Sequence, residues 1–205
     1  MIPKESSDRR QNLIHMRIAV SGTHCSGKST LIEAFLSTHP DFAHEPEPYE
    51  VMVEEYGEDF AAEPSADDFF RQLEFNVERL RQYQPDARVI FDRSPVDFLA
   101  YMLALQDLRR TGGNPQLSQQ ARNVVVGAMP FLEAIVLLPL NDADGIEAPD
   151  GDDPELRGAA DTRLATIFDE LELDRHGGPI VLEATGNIAR RLRILSELIR
   201  NVDLK

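Results

Sequence analysis

The sequence predicts an α/β fold in which helices cover both faces of a five-stranded parallel sheet. Short apolar runs of β type alternate with longer segments of helical periodicity, as in repeated strand–helix–strand units. A glycine-rich loop at residues 22–29 joins the first apolar run to the first helical segment. The 205 residues suffice for one α/β domain with a sizeable core and leave little room for a second.

The first strand is predicted at residues 17–20, and its loop reads GTHCSGKS, which fills every position of G-x-x-x-x-G-K-[ST]. Gly22 and Gly27 let the backbone turn so that successive N–H groups converge on a phosphate, and the next helix adds its positive dipole end. Lys28 would reach the β- and γ-phosphates, and the Ser29 hydroxyl would bind Mg²⁺. The motif therefore predicts a P-loop NTPase three-layer sandwich that binds ATP or another nucleoside triphosphate. The predicted nucleotide contacts are Gly22, Thr23, His24, Cys25, Ser26, Gly27, Lys28, Ser29 and Thr30.

The second strand is predicted to end near His44, because Pro46 and Pro48 cannot donate to a central ladder. A helix at 65–84 follows, with Ser65 as its N-cap and an apolar stripe at four- and three-residue steps. These boundaries place the Glu-Pro-Glu-Pro segment at the carboxyl edge of the sheet, where ligands of open α/β folds bind.

The third strand, at 88–92, ends on Asp92, and Pro95 suits the first position of a helix that runs towards residue 110. The remaining predicted elements are a helix at 118–129, a strand at 134–138, a helix at 159–173, a strand at 180–183 and a helix at 187–199. Five strands separated by helices indicate a parallel sheet.

Two segments fall outside this pattern. Residues 1–15 lack the apolar run of a signal peptide and are predicted to form a disordered tail, so the expected domain spans 16–205 in a cytoplasmic protein. Residues 141–155 hold seven acidic residues, two glycines and two prolines, which predicts a mobile surface loop rather than a calcium site.

The charge of the chain limits its partners. The formal net charge is −15, from 36 acidic and 21 basic residues, and no basic stripe offsets it. Such a surface repels a phosphate backbone, so nucleic acid is not an expected partner. No apolar run approaches the roughly 18 residues that span a bilayer, so no membrane is expected either.

Several classes of nucleotide-binding protein lack their other motifs here. The N-K-x-D guanine motif of GTPases and the L-S-G-G-Q signature of transporter ATPases are absent from the sequence. An AAA-type motor needs a helical lid domain after its core, and 205 residues are too few to include one. The loop motif alone does not identify the reaction, so the interpretation depends on the other motifs.

Four features resemble the P-loop kinases of small metabolites: deoxynucleoside kinases, thymidylate kinases and the nicotinamide riboside kinase domain. They are the phosphate loop, which is also similar to that of an AAA-like ATP-binding domain, the EPEP segment at 45–48, the FDRSPVDFLAY segment at 91–101, and an acidic lid that bears Arg157 and Arg163. The resemblance covers nearly the whole chain from residue 16 and implies a lid at about 140–165. The lid departs from the family pattern, because no compact R-x-x-x-R run is present.

The resemblance implies roles for individual residues in phosphoryl transfer. The catalytic candidates are Lys28, Glu47, Asp92, Arg93, Arg157 and Arg163, and the metal ligands would be Ser29 and Asp92. Glu47 or Glu45 would orient or deprotonate the acceptor hydroxyl, and the alternative for both is a solvated turn residue. Arg93 would grip phosphate oxygens, or pair with Asp92 in a structural ion pair.

Other positions are less specific. Gln72 resembles a base-reading glutamine, but the polar face of an amphipathic helix is the favoured interpretation. Asp97 and Tyr101 share one helical face that borders the expected acceptor pocket. Arg190 and Arg191 occupy the position at which the family contacts adenine, and they also suit an ordinary helix surface.

Two hypotheses follow. The first is an ATP-dependent, Mg²⁺-assisted kinase whose acceptor is a nucleoside, a nucleotide or another ribosyl metabolite. The second is a nucleotide-binding regulatory protein of the same fold, in which binding or slow hydrolysis drives a partner interaction.

Overall fold

The computed structural model describes residues 16–61, 63–110, 112–141, 153–173 and 178–202. A five-stranded sheet lies at its centre, with the strand order β2-β3-β1-β4-β5. The strands are β1 Met16–Ser21, β2 Ala43–Glu45, β3 Arg88–Asp92, β4 Ala134–Leu137 and β5 Ile180–Glu183. All four neighbouring pairs are parallel, so the predicted sheet is confirmed.

Helices connect the strands. They are α1 Lys28–Thr38, α2 Pro48–Glu54, α3 Ala66–Gln82, α4 Pro95–Asp107, α5 Pro115–Ala128, α6 Pro154–Glu170 and α7 Ile188–Val202, with a 3₁₀ turn at Met129–Phe131. None of the helices in the described residues is long and apolar enough to cross a membrane.

The side chains of the strands alternate between two hydrophobic cores. In β1, Ala19 packs into the core that holds residues of α3, α4, α5 and α6. Its neighbours Ile18 and Val20 pack into the core that holds residues of α1 and α7. Because successive side chains of a strand point to opposite faces, this division confirms the three-layer arrangement.

Two helices begin with reciprocal caps close to the site. Ser65 caps α3 and Ser94 caps α4, and in each case the acidic residue three positions later bonds back to the N-cap backbone. Pro95 stands in the first turn of α4, as predicted. The caps fix where each helix begins and therefore where its first polar side chains lie.

The sequence does not predict helix α2, and the starts of α5 and α6 differ most from the sequence prediction. Helix α2 begins directly at Pro48, because the proline that ends pairing of β2 also suits a first helical position. Helix α5 begins at Pro115 rather than residue 118 for the same reason. Helix α6 begins at Pro154, five residues before the predicted start, since Asp153 caps it. The predicted tail and residues 142–152 of the predicted loop at 141–155 lie outside the described residues, whereas Asp153, Pro154 and Glu155 begin α6 instead of continuing the loop.

Candidate active site

The glycine-rich loop leaves the carboxyl end of β1, the central strand, and runs into α1. A Cβ on Gly22 would lie 2.6 Å from Ser26 Oγ and 2.8 Å from the Leu138 carbonyl oxygen, so a larger residue cannot fit there. Gly27 has a φ of 89°, a left-handed conformation that glycine adopts without strain. The predicted turn around a phosphate is therefore present in the backbone.

Lys28 lies inside this turn. Its side chain is buried, and Nζ donates to the Thr23 carbonyl oxygen at 2.9 Å. Burial and the charge of Arg93 lower the pKa of Lys28 from its ordinary value, against the opposing effect of Glu47 and Asp92. A phosphate in the loop would favour the charged ammonium.

Ser29 and Asp92 form the predicted metal position. Ser29 Oγ donates to Asp92 Oδ2 at 3.1 Å. The other oxygen, Asp92 Oδ1, is buried and has no hydrogen-bond partner among the described residues. Burial and the charge of Glu47 raise the pKa of Asp92, partly offset by Lys28 and Arg93. Oxygen ligands with unfilled acceptor capacity suit Mg²⁺, so these residues fit the ion.

Arg93 joins the loop to its surroundings. Its Nε donates to Glu47 Oε1 at 2.6 Å, and its Nη1 donates to the Gly22 carbonyl oxygen at 3.1 Å. Burial opposes the charge, but Glu47, Tyr101 and Asp97 outweigh it and raise the pKa of Arg93. Burial likewise raises the pKa of Glu47, yet Arg93 and Lys28 prevail and hold that pKa below its usual value.

Helix α4 supports the loop from the side. The Gly22 N–H donates to Asp97 Oδ1 at 2.8 Å, and the His24 N–H donates to the Tyr101 hydroxyl at 3.0 Å. Asp97 is fully buried and also accepts hydrogen bonds from the backbone N–H and the hydroxyl of Ser94. It therefore links the start of α4 to the loop. Of this pair, which the sequence places together on one helical face, only Tyr101 lines the neighbouring cavity.

A cavity of about 230 Å³ opens beside the phosphate loop. Its aromatic lining consists of Tyr49, Phe60, Phe69, Phe98 and Tyr101. Glu47 and Arg93 lie on its wall, and so does His24 of the loop. Gln72 also lines the cavity and is 6% exposed, so the interpretation of Gln72 as part of an exposed polar helix face is wrong.

The two glutamates of the EPEP segment have different surroundings. Glu45 is the last residue of β2 and accepts hydrogen bonds from Arg79 Nε at 2.6 Å and from the Tyr83 hydroxyl at 2.7 Å. Glu47, two residues later, contacts Arg93 and the cavity. Glu45 is buried in contacts with α3, so of the two glutamates Glu47 is the one that lines the cavity.

The lid arginines separate. Arg157 of α6 reaches the loop, where Nε donates to the His24 carbonyl oxygen at 3.0 Å and Nη2 to the Cys25 carbonyl oxygen at 2.9 Å. Arg163 instead pairs with Asp107 at 2.5 Å, and with Glu170 at 3.5 Å. Arg163 comes six residues after Arg157, which is more than one and a half turns further along α6, so it lies away from the loop. The expectation that Arg163 is catalytic therefore has no geometric support.

The last helix also contributes to the loop. Arg191 is buried, and its Nη1 donates to the Ser26 carbonyl oxygen at 2.7 Å. Arg190 is exposed, as the alternative interpretation of an ordinary helix surface requires. Arg191 therefore stabilises the backbone of the loop through this hydrogen bond.

Some residues of the site escaped the sequence analysis. Tyr49 and Phe60 line the cavity from α2 and the segment after it, and Asp153 lines it from the N-cap of α6. The Asp153-Pro154 pair is a typical helix start and could have been found, since Asp favours the N-cap and Pro the first turn. Nothing in the sequence around Phe60 signals a cavity.

Three solved structures resemble this fold. Deoxyadenosine kinase from M. mycoides with bound dATP is 18% identical, with a TM-score of 0.61 over 91% of this chain and 100% of that chain. Thymidylate kinase from Candida albicans is 17% identical, with a TM-score of 0.62 and 94% of each chain covered. The NadR protein in complex with NAD and AMP-PNP is 14% identical, with a TM-score of 0.63 over 94% of this chain. The chain spans about half of NadR, 51% of its length.

A family model that matches most of the sequence shows the family of this chain. No curated protein matches the chain. The family model described as an AAA domain matches residues 17–191, which include the phosphate loop, Asp92, Arg93 and the lid arginines. The chain therefore belongs to this AAA domain family and has the fold of the P-loop kinases.

Proposed function

We propose that this protein binds Mg·ATP on the loop at residues 22–29 and transfers the γ-phosphoryl group to a hydroxyl of a small metabolite in the aromatic cavity. One observation carries the proposal: the buried Arg93 bonds both to the Gly22 carbonyl of the loop and to Glu47 on the cavity wall. A phosphoryl donor on the loop and an acceptor in the cavity would meet at this guanidinium.

The residues divide the work of the transfer. A bond forms between the acceptor oxygen and the γ-phosphorus, and the bond to the β–γ bridging oxygen breaks, so ADP leaves with the electron pair. Glu47 is ionised and accepts the hydrogen bond of the acceptor hydroxyl, whose proton passes through it to water. Lys28 and Arg93 supply positive charge to the migrating group. Mg²⁺, held by Ser29 and Asp92, would neutralise the phosphate oxygens.

The deoxyadenosine kinase with bound dATP and the thymidylate kinase share the fold, which supports an acceptor of the nucleoside or nucleotide kind. The regulatory alternative retains one specific observation in its favour. Arg163 pairs with Asp107 and Glu170 rather than with the loop, so the lid offers Arg157 alone of the two predicted arginines.

A turnover assay separates these alternatives. ADP release from Mg·ATP is measured with and without nucleosides, nucleoside monophosphates and nicotinamide riboside. Release that depends on one acceptor supports the kinase, whereas slow release that is indifferent to every acceptor supports the regulatory protein.

Nucleotide binding has its own test. We expect Lys28→Ala to abolish ATP binding in calorimetry while the circular dichroism spectrum stays unchanged, because the loop loses its one buried ammonium. Arg193→Ala, which removes an equal charge from the exposed face of α7, is the control and should bind ATP like the parent chain. Retained binding by Lys28→Ala would overturn the central claim.

A further inference from the structure

We propose that Tyr101 is a positioning residue of the phosphoryl transfer: its hydroxyl holds the phosphate loop at His24, and its ring forms part of the cavity wall. The side chain thereby fixes the distance between a triphosphate on the loop and an acceptor in the cavity. This role rests on the proposed function and extends it to a residue that touches neither of the reacting atoms.

The Tyr101 hydroxyl has two hydrogen-bond partners among the described residues, and both belong to His24. The His24 backbone N–H donates to the hydroxyl oxygen at 3.0 Å, and His24 Nδ1 lies 2.6 Å from the same oxygen. Tyr101 is 4% exposed, so water has little access to it. A single residue of the loop therefore takes up the hydrogen-bonding capacity of this buried phenol.

The phenolic proton determines how the imidazole is held. Burial raises the pKa of Tyr101, although the charge of Arg93 opposes the shift, so the phenol keeps its proton at neutral pH. Because the backbone N–H already donates to the oxygen, Nδ1 is the one acceptor that the described residues offer to this proton. The neutral His24 ring therefore accepts at Nδ1 and carries its own proton on Nε2.

The ring of Tyr101 is fixed on the side of the cavity. It stacks on Phe69, with centroids 4.9 Å apart and planes inclined by 19°, and the central carbon of the Arg93 guanidinium lies 5.6 Å from its centroid. Tyr101, Phe69 and Arg93 all line the cavity. The hydroxyl cannot move without moving the ring among these neighbours, so the bond to His24 joins the loop to the cavity wall.

His24 uses its backbone groups to place the loop. Its N–H offers one proton, which goes to Tyr101 of α4. Its carbonyl oxygen accepts from Arg157 Nε of α6 at 3.0 Å. Loss of the phenolic hydroxyl should therefore shift the loop without removing a ligand of the phosphates.

A shift of the loop affects the rate of transfer more than the binding of nucleotide. Transfer needs the acceptor oxygen close to the γ-phosphorus and in line with the bond that breaks. A misplacement of about 1 Å can slow such a step about a hundredfold. Nucleotide binding tolerates the same shift, because the loop and the phosphates move together.

Tyr101→Phe tests this role, because it removes the hydroxyl and keeps the ring. ADP release is measured with the acceptor that supports turnover in the assay above, and calorimetry measures the affinity for Mg·AMP-PNP. We expect kcat to fall roughly 10- to 100-fold, whereas the Kd of Mg·AMP-PNP and the KM of the acceptor each change less than about threefold. An unchanged kcat, with or without a lower Tm, would overturn the positioning role.

Tyr83→Phe is the matched control. It removes another phenolic hydroxyl, which donates to Glu45 Oε2 at 2.7 Å instead of contacting the loop. We expect its kcat to equal that of the parent chain. An equal fall of kcat in both variants would overturn the specific role of Tyr101.

The tautomer of His24 provides a test that needs no turnover. Long-range ¹H–¹⁵N correlation spectra of the full chain at pH 8, above the ordinary histidine pKa of about 6.5, show which ring nitrogen carries the proton. His24→Gln identifies the signal among the five histidines. We expect a protonated Nε2 in the parent chain and a mixture of tautomers in Tyr101→Phe. A proton on Nδ1 in the parent chain would overturn the bond from the phenol to the ring.

Failure of this role can be told apart from failure of the proposed function. Absence of acceptor-dependent ADP release by the parent chain would overturn the kinase and, with it, any role of Tyr101 in transfer. The expected tautomer together with an unchanged kcat in Tyr101→Phe would overturn the positioning role and leave the kinase intact.

Discussion

Arg93 adopts a left-handed backbone conformation, with φ of 82°, between β3 and α4. For a residue other than glycine such a conformation costs on the order of 1–3 kcal/mol and persists only where the surroundings hold it. The Arg93 carbonyl accepts from Asn76, and the guanidinium contacts Gly22 and Glu47. The fold therefore fixes this guanidinium before any ligand binds.

Removal of this guanidinium should be costly. We expect Arg93→Ala to lower the free energy of unfolding by about 3–5 kcal/mol, because it removes the cation that compensates the carboxylates of Glu47 and the buried Asp97. Urea denaturation measures the change. Arg71→Ala, which removes an exposed ion-pair partner, should cost only about 0–1 kcal/mol. Equal losses in the two variants would contradict the buried role of Arg93.

Tyr83, which is bonded to Glu45 at the end of β2, predicts a pH dependence of stability. Burial and the hydrogen bond to Glu45 raise the pKa of Tyr83 to about 12 from 10.0. Because the folded pKa lies above the unfolded one, the stabilising contribution is complete below pH 10 and is lost as the pH rises towards 12.

Denaturation of the parent chain and of Tyr83→Phe between pH 9 and pH 12 measures this contribution. The parent chain should lose more stability over the range than the variant, since phenylalanine has no proton to release. Parallel pH profiles would show that Tyr83 titrates normally.

Among single residues, those in contiguous motifs were predictable and those chosen by packing were not. Lys28, Ser29, Asp92 and Arg93 follow from segments whose chemistry depends on adjacent positions. Gln72 faces the cavity because α3 packs on α4 in one particular rotation, which helical periodicity leaves undetermined for a polar residue.

At the scale of elements, helix starts determine where the site residues lie. Three helices that border the cavity have side-chain caps. Ser65 caps α3, Ser94 caps α4 and Asp153 caps α6. Each cap satisfies a backbone N–H group at the helix start, which has no partner within the helix. The shape of the cavity therefore depends partly on Ser65 and Ser94, which are not among the described residues that line it.

A cap variant tests this dependence. Ser65→Ala should lower the free energy of unfolding by about 1 kcal/mol, because the Asp68 N–H and side chain lose their partner. Ser65→Asn should recover most of the loss, since asparagine also caps helices well. Guanidinium denaturation measures both, and an unchanged free energy of unfolding for Ser65→Ala would show that the cap contributes nothing.

The sequence predicted most helices and strands, but it gave no sign of α2 and misplaced the starts of α5 and α6. Pro48 and Pro115 each end one predicted element and Pro154 lies in the predicted loop, but each of the three prolines occupies the first turn of a helix. Proline ends a preceding element and begins the next with equal ease, so only packing decides how closely the two elements follow.

At the scale of the whole molecule, the formal charge of −15 acts against the compact state. The described ion pairs cancel part of it locally, as the pair of Arg17 and Glu133 does at 2.8 Å beside β1. The remaining carboxylates repel one another across the surface, at distances that salt screens.

Added salt should therefore stabilise the protein. We expect Tm to rise as NaCl is increased to roughly 0.5 M, where the screening length falls well below 10 Å. KCl should give the same increase, because screening does not depend on the cation. A fall in Tm over this range would show that the ion pairs outweigh the self-repulsion.

The supports of the phosphate loop have a consequence for the newly made chain. The loop is synthesised early, but its carbonyl groups bond to Arg157 of α6 and to Arg191 of α7, 165 residues after Ser26. Its strand also needs β4, since the Leu138 N–H donates to the Ser21 carbonyl oxygen at 2.8 Å. A nascent chain on the ribosome would thus hold the complete motif without a formed pocket. We therefore expect nucleotide binding to be a late event of translation, and a polypeptide that ends before residue 191 to bind ATP more weakly than the full chain.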